Sequence, residues 1–453
     1  MGLSIVLLAA GQGKRMKTTK PKPLVELADK PLIQYSLDTA MKLDPERIIL
    51  VTGHKKDEVK KYVLANNPGD YIFCEQKERL GTGHAVQQAA QYLPESGKTI
   101  VLYSDVPLVS VTTLKKLIKS SNRKSLSILT SKKDNPKGYG RIVRDELLDQ
   151  PLLIREEQDA SKEEKEIDEI FSGIMIADNE FLQKGLKSLV RNNAAGEYYL
   201  TDLVEYASTR EQKIGSTQAQ EKEILGANNK QELGDLYRAL VSINIASAKR
   251  KGAIFKDEST CYVEGPLKVG RDVKIGNNVT LKGEVTLGNN VSIGSNTVLS
   301  NTKIGDETVV KDFCSIENSS IAKNAEVGPF ARLRDGAVLS NKAKIGNFVE
   351  VKKSTIGAGS KANHHAYLGD ATIGKKANIG AGTITCNYDG KEKHETKIGD
   401  ETFIGTNSSL VAPLQIGKKS YVAAGSVITA DVPSNSLAFG RSRQKIKKNR
   451  KKK

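Results

Sequence analysis

From residue 269 onward, an aliphatic side chain recurs every six residues, and few folds tolerate that spacing. The positions are 269, 275, 281, 287, 293 and 299, then, after one step of five, 304, 310, 316, 321, 327, 333, 339, 345, 351, 356, 362, 368, 373 and 379. The register resumes at 398, 404, 410, 416, 422 and 428, and no polar residue occupies any of these positions. A period of six matches neither a helix face nor the alternation of a lone strand. It fits a parallel β-helix, in which each short side turns one aliphatic residue inward and stacked coils bury a continuous column. Glycine usually follows the aliphatic residue, where a corner is expected to need positive φ or close backbone approach. The step of 19 between Ile379 and Ile398 reads as three sides plus one residue, with Cys386-Asn-Tyr-Asp-Gly390 thrown out as a loop. Such excursions often carry function.

The first half of the 453-residue chain has a different grammar. β-Rich runs at 4–8, 47–51, 71–74, 99–103 and 126–130 alternate with helical spacing at 32–42, 55–65, 83–92 and 112–120. Alternation of this kind predicts a mostly parallel sheet with helices on both faces. Ligands of such sheets sit beyond the carboxyl ends of the strands. Residues 229–251, rich in helix formers, predict one connecting helix. The expected domains are therefore 1–228, a linker helix 229–251, a β-helix 252–442 and a basic tail 443–453.

No apolar run approaches the roughly 20 residues of a membrane span, and the opening run lacks the features of an export signal. Four scattered cysteines without a CxxC indicate neither a zinc site nor a disulfide framework, which suits a reducing cytoplasm. The net charge of +17 invites a nucleic-acid reading, but seven of the last ten residues are Lys or Arg. Such a tail is expected to be a solvated, disordered end. The rest of the charge suits substrates that carry phosphates, so nucleic acid is not the expected partner.

The first strand runs into Leu8-Ala-Ala-Gly-Gln-Gly-Lys-Arg-Met16. Gly11 and Gly13 directly after a strand let backbone N–H groups approach a phosphate, with basic residues behind them to neutralise it. Met16 breaks a dinucleotide GxGxxG, and no GxxxxGK[ST] is present. Lys22 would bring a second cation to the same edge. Asp105, just past the strand at 99–103, suits a Mg²⁺ ligand, since magnesium prefers one or two protein oxygens plus phosphates and water.

Specific motifs occur in order: Leu8 to Met16, Lys22, Gln76 with Leu80-Gly-Thr-Gly-His84, Asp105-Val-Pro-Leu108, Gly138-Tyr-Gly-Arg141, Gly196-Glu-Tyr-Tyr-Leu-Thr-Asp202 and Gly226-Ala-Asn-Asn229. The β-helix and Asn378-Ile-Gly-Ala-Gly-Thr-Ile-Thr-Cys-Asn-Tyr-Asp-Gly390 follow. From about residue 3 to 442 the chain resembles the bacterial bifunctional N-acetylglucosamine-1-phosphate uridylyltransferase / glucosamine-1-phosphate acetyltransferases. The resemblance implies an α/β Rossmann-like nucleotidyltransferase domain followed by a left-handed parallel β-helix, a homotrimer packed through the β-helices, and a role in cell-wall precursor synthesis. It implies acetyl transfer from acetyl-CoA to glucosamine 1-phosphate, then uridylyl transfer from UTP with release of pyrophosphate.

In the first site the matching positions imply that Leu8, Ala9, Ala10, Gly11 and Gly13 surround the nucleotide and that Arg15 and Lys22 neutralise its phosphates. Gln76, Gly81, Thr82 and Tyr103 would bind uridine or its neighbourhood, Asp105 and Asn228 would hold Mg²⁺, and Gly140, Glu156, Tyr199 and Thr201 would line the sugar pocket. In the second site His364 matches the general base that takes the proton of the 2-amino group, with Glu350 expected to orient it. His365 is expected on the opposite face if the segment is extended. Arg334, Lys352, Tyr367, Asn378 and Lys393 match amino sugar phosphate contacts, Asn387 and Tyr388 the loop beside the acetyl group, and Ala381, Thr406, Ala424 and Arg441 coenzyme A contacts. His54, His84 and His394 are read as structural or solvated.

Four positions depart from the family pattern. Phe171 replaces a sugar-pocket Asn, which puts sugar selectivity in question; Lys14, Ser104 and Asn363 replace Thr, Gly and Gly. Two other readings compete with a bifunctional enzyme: a single-activity sugar-1-phosphate uridylyltransferase with an oligomerising β-helix, and a non-enzymatic scaffold binding polyanions through its tail.

Overall fold

A computed structural model of the protein describes residues 2–447. The expected basic tail therefore lies partly outside the described residues. The chain forms two compact units, residues 1–240 and 241–453. The division falls inside one helix, Lys230–Arg250, at the place where the sequence predicts a connecting helix.

The first unit is built on a nine-stranded sheet. Its main path runs Ile214–Gln218, Leu126–Lys132, Glu169–Asp178, Lys98–Tyr103, Leu3–Ala9, Arg47–Thr52 and Tyr71–Glu75. Apart from the buried Ser4, strand Leu3–Ala9 is apolar, because both its faces are covered. Ile5, Leu7 and Ala9 join Ile33, Leu37, Val59, Val63, Leu114 and Leu117 in one core. Val6 and Leu8 join Val86, Ala89, Leu182 and Leu203 in the other. The five expected strands and four expected helices are present within two residues of their bounds.

The sequence did not signal the strand Glu169–Asp178. It lies antiparallel between Lys98–Tyr103 and Leu126–Lys132 and carries a register shift between Phe171 and Met175. A hairpin, Arg141–Arg144 with Pro151–Arg155, attaches through Ile170 opposite Arg141.

In the second unit 26 short strands stack in parallel as a left-handed β-helix. Pairs such as Ile275–Ile293 and Leu281–Leu299 are 18 residues apart, one coil of three sides. Every register residue from Ile275 to Ile428 is buried, and only Val269, at the open end, is half-buried.

Three features refine or correct the sequence reading. First, of the two reasons expected for glycine after the aliphatic residue, close backbone approach is the one that holds, since a Cβ on Gly405 would lie 2.4 Å from the backbone nitrogen of Ala424 in the next coil. Positive φ falls two residues later, at positions such as Asn278, Asn290, Asn296, Asn324 and Asn407, because Asn tolerates the left-handed region.

Second, the column does contain a polar residue. Thr385 is buried and keeps the register. Its hydroxyl accepts from the Gly369 N–H at 2.8 Å and donates to the Gly369 carbonyl at 3.0 Å. Third, the step of 19 is therefore not three sides plus one residue. The coil from Ile373 to Ile398 takes 25 residues where the next, Ile398 to Ile416, takes 18. The seven extra residues form a single corner excursion closed by the bridge between Tyr388 and Lys393.

Candidate functional sites

Parallel pairing of Leu3–Ala9 with Lys98–Tyr103 sets Leu8 opposite Tyr103. The turn at Gly11–Gly13 and the Ser104-Asp105 step therefore leave the sheet side by side at its carboxyl edge. Gly13 has φ 68°, and a Cβ there would come within 2.9 Å of Lys22 Cβ, so both conformation and space call for glycine. Beneath this turn Lys22 is buried; its ammonium donates to Asp105 Oδ2 and, at 2.8 Å, to Asn228 Oδ1. Asn228 is fixed in turn by Glu232, which accepts from its backbone N–H at 2.8 Å and its side-chain amide at 3.1 Å.

Two cavities open on this edge. The smaller, about 240 Å³, is lined by Leu8, Ala10, Gly11, Lys22, Gln76, Gly81, Thr82, Tyr103 and Asp105. Gln76 is buried and donates from Nε2 to the Gly81 carbonyl at 3.0 Å. The larger, about 580 Å³, shares Thr82, Tyr103 and Asp105 and adds Arg15, Gly140, Glu156, Phe171, Thr201 and Asn228. Most of the first-site positions are thus brought together; Ala9, Gly13 and Tyr199 line neither cavity.

Around the larger cavity, burial raises the Glu156 carboxyl, opposed by the hydrogen bond from Thr201 at 3.0 Å. Burial and the nearby Asp159 push the Tyr199 phenol up to about 12. The Phe171 ring is buried against the core at the wall of this cavity. Its neighbour Ser172 supplies no replacement polar group, because its hydroxyl donates to the Leu129 carbonyl at 2.7 Å and accepts from the Ile174 N–H at 3.1 Å.

The oxygens of Asp105 and Asn228 converge on one cation, the Lys22 ammonium, so this point favours positive charge. Among the described residues no group of three His, Cys, Asp or Glu could hold a metal. A divalent ion here would keep two protein oxygens and take the rest from phosphates and water, which is magnesium's habit.

In the β-helix, one corner carries His364. Its Nδ1 lies 2.8 Å from Asn347 Oδ1. The expected orienting residue, Glu350, does not reach it; Glu350 accepts from Arg334 Nε at 2.7 Å instead. The coil explains this. His364 pairs with Asn347, 17 residues earlier, while Glu350 pairs with Tyr367, three residues along the side. His365 is not extended but left-handed, at φ 41°, so both imidazoles are exposed. The His365 ring packs 5.0 Å from Phe348, ending a ladder with Phe330 and Phe313 at spacings of 5.2 and 4.9 Å.

Up the same corner, coil by coil, Gly382 N–H donates to the His365 carbonyl, Asn407 N–H to Ala381 and Gly425 N–H to Thr406. His364, Ala381, Thr406 and Ala424 consequently form one line. Arg441 reaches its end, where a Cβ on Gly425 would lie 3.6 Å from Arg441 Cδ. Asn378, paired with Lys361 and Phe403, faces out on the preceding side.

At the far end of the following side stand Arg334, Lys352 and, on the excursion, Lys393. Lys352 lies beside Lys393, and a hydrogen bond it can donate to the neutral Lys393 amine, together with repulsion between the two positive charges, pulls Lys393 down. Two like charges in contact suit an anion between them. The excursion is pinned by Asn387, whose amide donates to Asp370 at 2.5 Å, and by the Tyr388 hydroxyl donating to the Gly390 carbonyl at 2.7 Å. Sequence reasoning missed Asn347, which the one-coil offset from His364 could have found, and Arg79, a cation at the smaller cavity with no motif of its own.

Comparison with known proteins agrees with this division. Residues 5–166 match the family of MobA-like NTP transferase domains, 259–346 the GMPPB C-terminal domain, and 395–430 the hexapeptide repeat of succinyl-transferase. The bifunctional protein GlmU of Acinetobacter baumannii (strain AYE) is 46% identical over 450 residues, 99% of this chain and 98% of the relative. That of Idiomarina loihiensis is 46% identical over 98% of this chain and 97% of its own length. That of Nitrosomonas eutropha is 44% identical over 98% and 96%.

Proposed function

The chain belongs to the family of bifunctional GlmU proteins and is a uridylyltransferase and acetyltransferase, and we propose how its residues divide that work. Residues 1–228, within the N-terminal unit, carry uridylyl transfer, the β-helix at 252–442 carries acetyl transfer, and 229–251 connect them. One observation carries the residue-level reading: Lys22, Asp105 and Asn228, distant in sequence, converge beside the Gly11–Gly13 turn at the sheet's carboxyl edge.

In the acetyl step the 2-amino nitrogen of glucosamine 1-phosphate attacks the thioester carbonyl, the C–S bond breaks, and coenzyme A leaves as the thiol. A protonated amine is no nucleophile, so a base must remove its proton. His364 does this from Nε2, its Nδ1–H held by Asn347. Glu350 instead positions Arg334, which with Lys352 and Lys393 receives the sugar phosphate. Tyr367 and Asn378 border the sugar, Asn387 and Tyr388 the acetyl group. The corner line Ala381, Thr406, Ala424 and Arg441 carries coenzyme A, with Arg441 suited to its phosphates.

In the uridylyl step the N-acetylglucosamine 1-phosphate oxygen attacks the α-phosphorus of UTP and pyrophosphate leaves. The protein contributes positioning and charge neutralisation. The turn at Leu8–Gly13 presents backbone N–H groups, Arg15 and Lys22 neutralise phosphate charge, and Gln76, Gly81 and Thr82, with Tyr103 beside them, hold uridine. Gly140, Glu156, Tyr199 and Thr201 shape the sugar end. Asp105 and Asn228 would hold Mg²⁺, which when bound lowers the charge on the phosphates.

We also assign a homotrimer packed through the β-helix. His364 and Lys352 stand at opposite ends of one side, five residues or about 16 Å along the strand direction. A second copy would bring the missing end of a site to each corner, and it would cover the half-exposed Phe313, Phe330 and Phe348. The cysteines are free, and no helix among the described residues is long and apolar enough to cross a membrane; a cytoplasmic location is in keeping with both.

A mass-resolved assay tests the division. With glucosamine 1-phosphate, UTP and Mg²⁺, UDP-N-acetylglucosamine should form only when acetyl-CoA is added. UDP-glucosamine formed equally with and without acetyl-CoA would overturn the order of steps and point to a pocket relaxed by Phe171.

A further inference from the structure

Arg79 lies in the loop between strand Tyr71–Glu75 and helix Thr82–Ala90, and it lines the 240 Å³ cavity beside Gly11, Lys22 and Thr82. Its guanidinium reaches across to the side-chain oxygen of Gln12, the residue between the two glycines of the phosphate turn. The loop that supplies Gln76 and Gly81 is thereby tied to the turn that supplies Gly11 and Gly13.

The choice of partner is informative. Arg141, Arg144 and Arg155, elsewhere in this unit, pair with Glu157, Glu169 and Glu164. Lys22 is matched by Asp105. Arg79, although exposed at a cavity mouth, pairs with no carboxylate among the described residues and is held by a neutral amide alone. Glu197 lines the same cavity, but its Cβ stands at Gly81 and it makes no ion pair with Arg79.

A planar guanidinium held by one neutral oxygen gains from exchanging it for phosphate oxygens, which are anionic and match its fork of donors in pairs. We propose that Arg79 is a substrate-binding residue of the nucleotide site: Gln12 holds it across the cavity mouth in the free protein, and it passes to the β- and γ-phosphates of the bound nucleoside triphosphate. This assignment rests on the uridylyltransferase reading of the site and adds a cation that no motif supplies.

The full-length protein and its Arg79→Gln and Arg79→Lys variants test it, by uridylyl-transfer kinetics and by direct binding of UTP and UMP. Losing one exposed charge-assisted contact should raise KM for UTP about tenfold in Arg79→Gln, the low end of the range for charged hydrogen bonds. The same variant should keep kcat and bind UMP within about twofold of wild type, which also shows that the site is folded; Arg79→Lys should lose only about threefold.

An unchanged KM for UTP in Arg79→Gln, with wild type active, would overturn the assignment alone. A fall in UMP affinity equal to that for UTP would place Arg79 on the nucleoside or α-phosphate and likewise overturn it. Failure of wild type itself to bind or consume UTP would bring down the uridylyltransferase reading, and this assignment with it.

Discussion

Asn347→Ala removes the amide that faces Nδ1 of the candidate base. Oδ1 can only accept, so the nitrogen 2.8 Å away is Nδ1–H and the lone pair is left on Nε2. A neutral hydrogen bond contributes about 0.5–1.5 kcal/mol net, and this one is exposed, so the lower half applies. About 0.5–1 kcal/mol corresponds to a two- to fivefold fall in kcat for acetyl transfer. Uridylyl transfer by the same preparation should be unchanged, because Asn347 belongs to the other unit.

Asn347→Asp tests the same contact through charge. A carboxylate there favours imidazolium, and a partly exposed pair is worth about 0.5–1 kcal/mol. At 1.36 kcal/mol per pH unit, the acid limb of kcat/KM should move up by about half a unit. The sign follows from the chemistry: the base must be neutral, so activity is lost on the acid side and recovered on the alkaline plateau. The shift should shrink in about 0.5 M salt, which screens exposed charges. Release of coenzyme A thiol, followed across a pH series, reads both variants. Wild-type behaviour in both would refute the pairing. A shifted limb in Glu350→Gln instead would restore the partner expected from sequence.

Asp105→Ala should abolish pyrophosphate release from UTP while leaving acetyl transfer within about twofold, since it removes one of the two oxygens assigned to the metal; equal loss of both activities in a folded protein would show that the sites are not separate. Thr385→Val should lower the stability of the β-helix unit by about 1–3 kcal/mol in urea unfolding, because it leaves the buried Gly369 N–H unsatisfied. Unchanged stability would mean that the column accepts any β-branched residue there. Burial, then Glu205 and Glu156, raise the Asp202 carboxyl to about 6. A carboxyl raised in the fold costs stability above that pH and none below its unfolded value near 4. Asp202→Asn should therefore raise Tm by about 2–4 °C at pH 8, the size expected for about 1 kcal/mol, and by nothing measurable at pH 3.5.

Much of the architecture was legible because its signals are local and repetitive. One inward aliphatic per side names the β-helix column without any long-range information, and alternating apolar runs name the sheet of the first unit. Glu169–Asp178 was not legible, because an antiparallel insertion between two parallel strands depends on pairing partners tens of residues away. Thr385 broke the apolar pattern while keeping the structural one; its hydroxyl is satisfied by Gly369 of the preceding coil, a partner found only when coils stack. The 25-residue coil at the excursion was misdivided for the same reason.

Periodicity and motif order were enough to establish the two fold classes and to mark the Gly11–Gly13 turn and His364 as candidate sites. Which groups touch was settled only when the chain folded. Coil stacking set Asn347 rather than Glu350 against His364, and strand pairing joined Lys22 to Asp105 and Asn228 and hung Arg79 on Gln12. Periodicity records which way each side chain faces, whereas contact depends on how strands pair across the sheet and how many residues each coil consumes.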